Sequence, residues 1–299
     1  MRIHLHVGAH KTATTYLQKL LKDNLELLRN NGIGYLDLQS IRDELTYKLR
    51  NENIAELDSG ELIKLFFGRP VRTSDHTLII SDENLVGTCW QFLQSGQLYP
   101  TFEDKIRKVR RIFYGHEISL FFSVRSYDTF IASAYCEGIR NLGKYRRFNV
   151  FREMIDWETI DWPSIIQRMI ESSGAEELVL WRFEEFRTRA DDIVSRMTRG
   201  VSELFPEQAS DELARPSFSD AAIKAVDVVD RVLGRDEANK VLNKMFKTIP
   251  KSKKNAGFDP WSEDEKSMML SLYEKHMEKI SNHQVADLRY GRRVRILSN

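Results

Sequence analysis

The 299-residue sequence predicts an α/β fold in which a parallel β-sheet is flanked by helices and followed by a helical C-terminal part. Continuous apolar runs at 77–81, 117–124 and 177–182 have the length and composition of parallel strands that are covered on both faces. Segments with helical periodicity separate these runs. The chain has no repeat, no low-complexity tract and no long linker, so residues 1–299 are predicted to form one domain.

The first part of the chain alternates between strands and helices. The helix after the first strand has its leucines on one face, and the segment before the third strand is helical but rich in charge. In order, we predict a strand at 3–7, a helix carrying Leu17, Leu20, Leu21, Leu25 and Leu28, a strand at 32–37, helices within 40–68, loops at 69–70 and 74–75, and a strand at 77–81.

The remainder of the chain continues the alternation and then becomes helical. Pro163 suits the first turn of a helix, and the lysines at 251–254 lie in a segment without periodicity. In order, we predict a basic helix at 102–114, a strand at 117–124, a helix to about 138, an insertion at 141–161 near the mouth of the site, a helix at 162–173, a strand at 177–182, helices at 184–205, 219–246 and 262–281, and a basic loop at 249–257.

The segment 6–18 combines a strand end, a turn of small residues and the start of a helix. Such a turn points backbone N–H groups at one centre, and the helix dipole adds partial positive charge there. Lys11 adds a full positive charge, and Thr12, Thr14 and Thr15 add hydroxyl groups. The segment therefore predicts a site for a phosphate-like anion, with a turn that binds nothing as the alternative.

The spacing in this segment differs from that of a Walker A motif, in which four residues separate the first glycine from Gly-Lys-Ser/Thr. Only two residues separate Gly8 from Lys11, and the second glycine is missing. Because the shortened loop has less backbone to surround a pair of phosphates, it suits a single 5′-phosphate better.

The run Lys11-Thr-Ala-Thr-Thr15, followed by an aromatic residue and Leu-Gln, resembles the 5′-phosphosulfate loop of PAPS-dependent sulfotransferases (PAPS is 3′-phosphoadenosine 5′-phosphosulfate). In these P-loop sulfotransferases Lys-Ser/Thr-Gly-Thr-Thr is usual, and Glu83, discussed below, points to their bacterial and carbohydrate-type branch. Alanine stands in place of that glycine, and we expect it to fit with a negative φ. The resemblance implies a P-loop-type sheet and a PAPS site formed by Lys11, Thr12, Ala13, Thr14 and Thr15. His10, where the family often has proline, lies in the same loop and could touch the donor or the acceptor.

A second motif places Arg125 directly after an apolar strand and Ser133 two turns along the following helix. A guanidinium fork and a hydroxyl could together hold a phosphate, whereas the alternatives are a surface ion pair and a filler on a helix face. The same spacing occurs in the 3′-phosphate site of the sulfotransferases, although Tyr127 stands where a proline is common. The resemblance implies that Arg125 and Ser133 bind the 3′-phosphate of PAPS.

The third element is the carboxylate pair Asp82 and Glu83 after the strand at 77–81. Transfer to an alcohol needs a group that accepts the hydroxyl proton, and a partly desolvated carboxylate can do so. Sulfotransferases that act on carbohydrates often have a glutamate base here, whereas members acting on phenols typically use histidine. Glu83 is the predicted base and Asp82 the alternative; Glu83 could also merely cap the next helix.

Several weaker expectations follow from the resemblance and from the residue types. Trp181–Glu184 would frame the adenine side, and Lys251–Gly257 would lie over the 3′-phosphate, with a solvated charge run as an equal alternative for the latter. Trp90, Phe92 and Tyr99 would stack on a sugar or belong to the core. Three further histidines, His4, His6 and His116, are expected to be structural or solvated.

The composition restricts the classes of partner. A net charge of +1 with no basic half argues against nucleic acid, and Cys89 and Cys136 are too few for a disulfide framework. We expect no transmembrane anchor and no secretory signal, and therefore a cytoplasmic protein. No spacing of histidines, cysteines and carboxylates predicts a metal site.

Together these motifs predict an enzyme that moves a sulfuryl group from PAPS to an acceptor hydroxyl by in-line transfer without a metal. Lys11 would assist the leaving phosphate and Glu83 would be the base. The acceptor would be a saccharide, a glycolipid or a small alcohol, and neither its identity nor the oligomeric state follows from the sequence. The alternatives are a P-loop nucleotide kinase, with Asp82 holding Mg²⁺, and a non-catalytic module that binds PAPS or the product bisphosphate.

Overall fold

The computed structural model describes residues 1–50, 57–68, 76–206, 218–282 and 293–297. Within these residues, the centre of the fold is a six-stranded sheet in which every strand pair is parallel. The strands are β1 Arg2–His6, β2 Ile33–Tyr35, β3 Thr77–Ser81, β4 Glu117–Val124, β5 Glu177–Arg182 and β6 Arg293–Leu297, in the spatial order β2-β3-β1-β4-β5-β6. The predicted parallel α/β class is therefore confirmed.

Helices flank the sheet and make up most of the C-terminal part. They are α1 Thr14–Asp23, α2 Leu25–Asn30, α3 Leu38–Ile41, α4 Tyr47–Arg50, α5 Ser59–Phe67, α6 Cys89–Ser95, α7 Glu103–Ile112, α8 Tyr127–Leu142, α9 Phe148–Met154, α10 Trp162–Ser173, α11 Phe186–Thr198, α12 Asp220–Val232, α13 Arg235–Thr248 and α14 Glu263–Ser281.

The longer strands and helices lie where the sequence predicts them. Breaks within long helical stretches and several short elements were not predicted. The helix predicted at 219–246 is two helices, because Gly234 adopts φ +87° between α12 and α13. The helical stretch predicted at 40–68 contains a π-helical turn at Arg42–Thr46, and its residues 51–56 lie outside the described part, as do the loops predicted at 69–70 and 74–75. Helix α6 and strand β6 were not predicted, and 141–161 contains α9 and a 3₁₀ turn.

Strand β1 lies inside the sheet, between β3 and β4. Both of these neighbours are apolar runs that helices cover on both faces. All residues of β3 are buried, and Phe121 and Phe122 of β4 are buried on opposite faces. Parallel strands share one carboxyl edge, so the loops after β1, β3 and β4 meet at the same edge.

Helix α8 lies unusually close to α6, and this contact fixes the position of the residues that α8 carries toward that edge. A Cβ atom on Gly138 would lie 2.9 Å from the carbonyl oxygen of Cys89 and 3.0 Å from the Leu93 side chain. Glycine at this position therefore permits a close approach that a larger residue would block. In the C-terminal part, bridges from Phe218 to Pro250 and from Ser219 to Gly257 pair the basic 250–257 segment with the residues that precede α12.

Candidate anion-binding site

The loop between β1 and α1 lies at the carboxyl edge of the sheet and is tied to both neighbouring strands. The amide of Ala9 donates to the carbonyl of Ser123 at 3.2 Å, and the amide of Asp82 donates to the carbonyl of His6 at 3.1 Å. No side chain caps the start of α1. Since the first N–H groups of a helix lack partners within the helix, they can bind an anion at this end.

The backbone of this loop corrects one prediction. Ala13 was expected to have a negative φ, but its φ is +65° and its ψ is 18°, in the left-handed region. A non-glycine residue in this conformation costs about 1–2 kcal/mol, which glycine would largely avoid. Lys11 is also left-handed, with φ +67°. These two left-handed residues bend the loop around the space in front of α1.

The threonines of the loop differ in what their hydroxyl groups do. Thr12 donates to the carbonyl of Ala9 and accepts from the hydroxyl of Ser123, so its hydroxyl is engaged inside the protein. The hydroxyl of Thr14 is buried and has no hydrogen-bond partner among the residues that the structure describes. Thr14 and the exposed Thr15, which both line the larger cavity, are therefore the threonines of this loop that a ligand could contact.

Two adjoining cavities open in front of the loop, one of about 670 Å³ and one of about 330 Å³. Both are lined by Lys11, Arg125, Ser133 and Lys251. The structure brings all the principal predicted site residues to the larger cavity, namely His10, Lys11, Thr12, Ala13, Thr14, Thr15, Glu83, Arg125 and Ser133. Residues from three separate parts of the sequence thus surround one space.

Arg125 follows β4 and connects the two motifs. Its Nη1 donates to the carbonyl of Lys11 at 2.7 Å, its Nε donates to the hydroxyl of Thr129 at 3.0 Å, and the guanidinium lies over the ring of Phe183 at 4.5 Å. Burial lowers the pKa of this guanidinium, which nevertheless stays charged at neutral pH. Nη2 has no partner among the described residues and is free to donate to a ligand.

The two carboxylates after β3 have different environments. Asp82 is fully buried and accepts from Arg42 Nη2 at 3.1 Å, from the Thr46 hydroxyl at 2.8 Å and from the amide of Asn84 at 3.0 Å. Asp82, and not Glu83, therefore caps the following 3₁₀ turn Glu83–Leu85.

Glu83 lines the larger cavity, whereas Asp82 does not. One oxygen of Glu83 accepts from Arg42 at 3.2 Å and the other from Gln18 Nε2 at 3.3 Å. Sequence reasoning did not find Arg42, which lies 40 residues before Asp82 in a π-helical turn. Its guanidinium compensates the charge of both carboxylates, and Glu83 remains the one that a ligand can reach.

His10 lies in the loop and contacts the larger cavity. Its Nδ1 lies 2.8 Å from the hydroxyl of Tyr99 and its Nε2 lies 3.3 Å from the side-chain amide group of Asn84. Burial lowers the pKa of His10, although the nearby Glu83 carboxylate acts in the opposite direction. The imidazole is therefore neutral at pH 7 and can donate or accept hydrogen bonds without adding charge.

Glu137 is a residue of the site that the sequence analysis missed. Its carboxylate accepts from the ammonium of Lys11 at 3.0 Å and also pairs with Arg140. Burial would raise the pKa of Glu137, but the charges of Lys11 and Arg140 hold it at about 2. The available signal was helical spacing, since Glu137 follows Ser133 by one turn on α8.

The weaker expectations divide between the site and the core. Phe183 and Glu184 line the larger cavity, whereas Trp181 is fully buried with its ring 5.8 Å from that of His6. In the basic segment, Lys251 lines both cavities and Gly257 the smaller one, and Lys253 and Lys254 line neither. The remaining aromatic residues line neither cavity: Phe92 and Tyr99 are buried, and Trp90 is half-buried.

Within residues 1–50, 57–68, 76–206, 218–282 and 293–297, no group of three or more histidines, cysteines and carboxylates is arranged to hold a metal ion. In the same part of the chain, no helix combines the length and the apolar character needed to cross a membrane. Cys89 and Cys136 are buried free thiols.

Comparisons with known proteins add little beyond the fold. No family model matches the chain, and no curated protein matches it. The crystal structure of a sulfotransferase from Alicyclobacillus acidocaldarius is similar over 80% of this chain and 95% of its own, with 12% sequence identity and a TM-score of 0.40. A likeness of this extent carries no argument about function, which must be inferred from the site itself.

Proposed function

We propose that this chain is a sulfotransferase that transfers a sulfuryl group from PAPS to an acceptor hydroxyl. One observation chiefly supports the proposal: Lys11, Arg125 and Ser133 line both of two adjoining cavities beside an uncapped helix start. Side chains from the β1–α1 loop, the end of β4 and α8 that could bind anions thus surround two adjoining cavities, an arrangement that would suit a ligand with two separated phosphates better than one with a single phosphate chain.

The loop residues would hold the 5′ end of the donor. The N–H groups at the start of α1 and the hydroxyl groups of Thr14 and Thr15 would bind the 5′-phosphate. No side chain caps that helix start, and the Thr14 hydroxyl has no hydrogen-bond partner among the described residues. PAPS supplies an activated sulfuryl group attached to that phosphate. The ammonium of Lys11 would neutralise the electron pair left on the phosphate oxygen when the bond to sulfur breaks.

The second phosphate would be held by Arg125, Ser133 and Lys251. Arg125 has Nη2 free for this role because its other contacts use Nε and Nη1. Lys251 has no ion pair among the described residues, and its side chain lies against the backbone of Gly257. These three groups would favour a 3′,5′-bisphosphate over a nucleotide that lacks the 3′-phosphate.

Glu83 would accept the proton of the acceptor hydroxyl as the acceptor oxygen bonds to sulfur. Arg42 and Gln18 orient its carboxylate through one contact to each oxygen. The acceptor would bind on the side of the larger cavity that carries Glu83, Asn84 and His10. We expect a saccharide, a glycolipid or a small alcohol there, and a cytoplasmic reaction that needs no metal.

The proposal is tested by incubating the full-length protein with labelled PAPS and a panel of glycans and small alcohols. Transfer of label to a member of the panel, without added Mg²⁺, is the expected result. Thermal unfolding separates the rival functions, because adenosine 3′,5′-bisphosphate should stabilise the protein without Mg²⁺. Stabilisation by ATP with Mg²⁺ alone would favour a kinase, although the saturated contacts of Asp82 speak against a Mg²⁺ ligand there. Stabilisation without transfer to any acceptor would favour a non-catalytic binding module.

A further inference from the structure

Glu137 places a negative charge in a site built for anions, and the proposed reaction gives this charge no role. The residue lies on α8, one turn after Ser133, and it lines the larger cavity. Its carboxylate is 3.0 Å from the ammonium of Lys11, the group proposed to meet the departing phosphate. The same oxygen pairs with Arg140, three residues further along the helix.

The surroundings make this ion pair stronger than one on the surface. The side chain of Glu137 is 11% exposed and that of Lys11 is 22% exposed, so water screens their attraction only weakly. The position of the carboxylate is itself fixed, because the next residue, Gly138, packs α8 directly on the backbone of α6.

Lys11 is consequently held at both ends of its side chain. Its backbone is in the left-handed region, and its carbonyl accepts from Arg125 at 2.7 Å. Its ammonium is held by Glu137. A lysine ammonium has three N–H groups, so it can keep the bond to Glu137 and still donate to a second anion.

We propose that Glu137 is a positioning residue that acts through Lys11, directing its ammonium into the site while competing with the anionic donor for that charge. The inference rests on the proposed function, since it assumes that Lys11 meets a phosphosulfate or phosphate group. Two opposite effects follow. Loss of the negative charge strengthens binding of an anion, and loss of the anchoring contact misplaces the ammonium and slows transfer.

The test compares full-length wild type with Glu137→Gln by calorimetric titration of adenosine 3′,5′-bisphosphate and by steady-state transfer from PAPS. We expect the bisphosphate to bind about tenfold more tightly to Glu137→Gln, because the Lys11 ammonium is then no longer shared between the ligand and a carboxylate. We expect kcat to fall by about tenfold or more while KM for PAPS also falls. Glu103→Gln is the matched control, since it removes a carboxylate paired with Arg168 outside both cavities.

Glu137→Asp keeps the negative charge on a shorter side chain. This second variant keeps the test possible if Glu137→Gln does not fold. It should bind the bisphosphate like wild type and yet transfer more slowly. A second measurement places Glu137→Gln in a Lys11→Met background, where the gain in affinity should largely disappear if Glu137 acts through Lys11. An equal gain in both backgrounds, or no gain in either, would overturn the inference and leave the proposed function standing. Failure of wild type to bind the bisphosphate would overturn both.

Discussion

Arg125 Nη1 donates a hydrogen bond across 2.7 Å to the carbonyl oxygen of Lys11, a residue 114 positions earlier in the chain. The end of β4 therefore shapes the loop that follows β1, in addition to facing the cavities itself. A lysine in this position would keep the charge but lose the fork of donors that reaches the carbonyl, the Thr129 hydroxyl and a ligand at once. The two motifs of the sequence act as one unit.

Arg125→Lys should weaken binding of adenosine 3′,5′-bisphosphate by roughly tenfold or more, because hydrogen bonds to charged groups contribute about 1.5–3 kcal/mol each. Adenosine 5′-phosphate should lose less affinity, since it lacks the phosphate assigned to Arg125. Calorimetric titration of both nucleotides measures this difference. Arg168→Lys, outside both cavities, is the control. An equal loss for the two nucleotides would show that Arg125 acts on the loop alone.

Glu83→Gln should lower kcat for transfer from PAPS by about 10²–10⁴-fold, the usual contribution of a general base. Affinity for adenosine 3′,5′-bisphosphate should stay within about twofold, because Glu83 is assigned to the acceptor. Asp82→Asn should instead lower the melting temperature, since it leaves the Arg42 guanidinium with a weaker partner at a buried position. Undiminished transfer by Glu83→Gln would refute its assignment as the base.

Ala13→Gly should raise the free energy of unfolding by roughly 0.5–1 kcal/mol. The φ of +65° costs alanine about 1–2 kcal/mol, and the greater freedom of glycine in the unfolded chain offsets part of that gain. Ala190→Gly, in helix α11, should lower it by roughly 0.5–1 kcal/mol. Urea unfolding of wild type and both variants measures these changes in the free energy of unfolding. A destabilised Ala13→Gly protein would contradict the strain assigned to the loop.

The protein should lose stability as the pH falls from 7 toward 4. Burial lowers the pKa of His6 from 6.5 to about 3, so the unfolded chain binds a proton that the folded chain does not. The stability from neutral His6 is present above pH 6.5 and declines below it, by about 2 kcal/mol at pH 5. Burial also lowers the pKa of His4, to about 4, which adds to the same trend.

The measurement is the slope of unfolding free energy against pH, compared between wild type and His6→Asn. Asparagine does not titrate, so the slope between pH 7 and 5 should be shallower even if the variant is less stable throughout. The Glu137 carboxyl, with a pKa of about 2, loses its contribution only at lower pH, from about 4.5 down to 2. Equal slopes for the two proteins would mean that His6 titrates normally in the folded state.

Much of the fold was predictable because short patterns of apolar residues and helix-start residues indicate where its strands and helices lie. Strands β3, β4 and β5 and helix α10 begin and end at the predicted residues, since continuous apolar runs and the Trp162-Pro163 start are local signals. Strand β6 was not recognised because Arg293–Leu297 alternates basic and apolar residues at an edge of the sheet and is not fully buried. The split between α12 and α13 depends on one glycine inside a long helical pattern.

The site was predictable in part. The loop, Arg125, Ser133 and Glu83 carry residue types that suggest their chemistry, and strand ends locate them at one edge of the sheet. The residue types of Arg42 and Glu137 do not suggest a role, because charged residues in helices are ordinarily solvated, although Glu137 follows Ser133 by one helical turn. Their roles depend on partners 40 and 126 residues away, respectively.

The sequence by itself determined most of the order of strands and helices and predicted a turn suited to an anion, because these follow from periodicity and from residues adjacent in the chain. The tertiary structure decided which charges meet. It pairs Lys11 with Glu137, encloses Asp82 with Arg42 and Thr46, and forces Ala13 into a left-handed conformation. Electrostatic attraction depends on distances in space, which separation along the chain does not set. The strain at Ala13 depends on the dihedral angles that packing of the loop imposes.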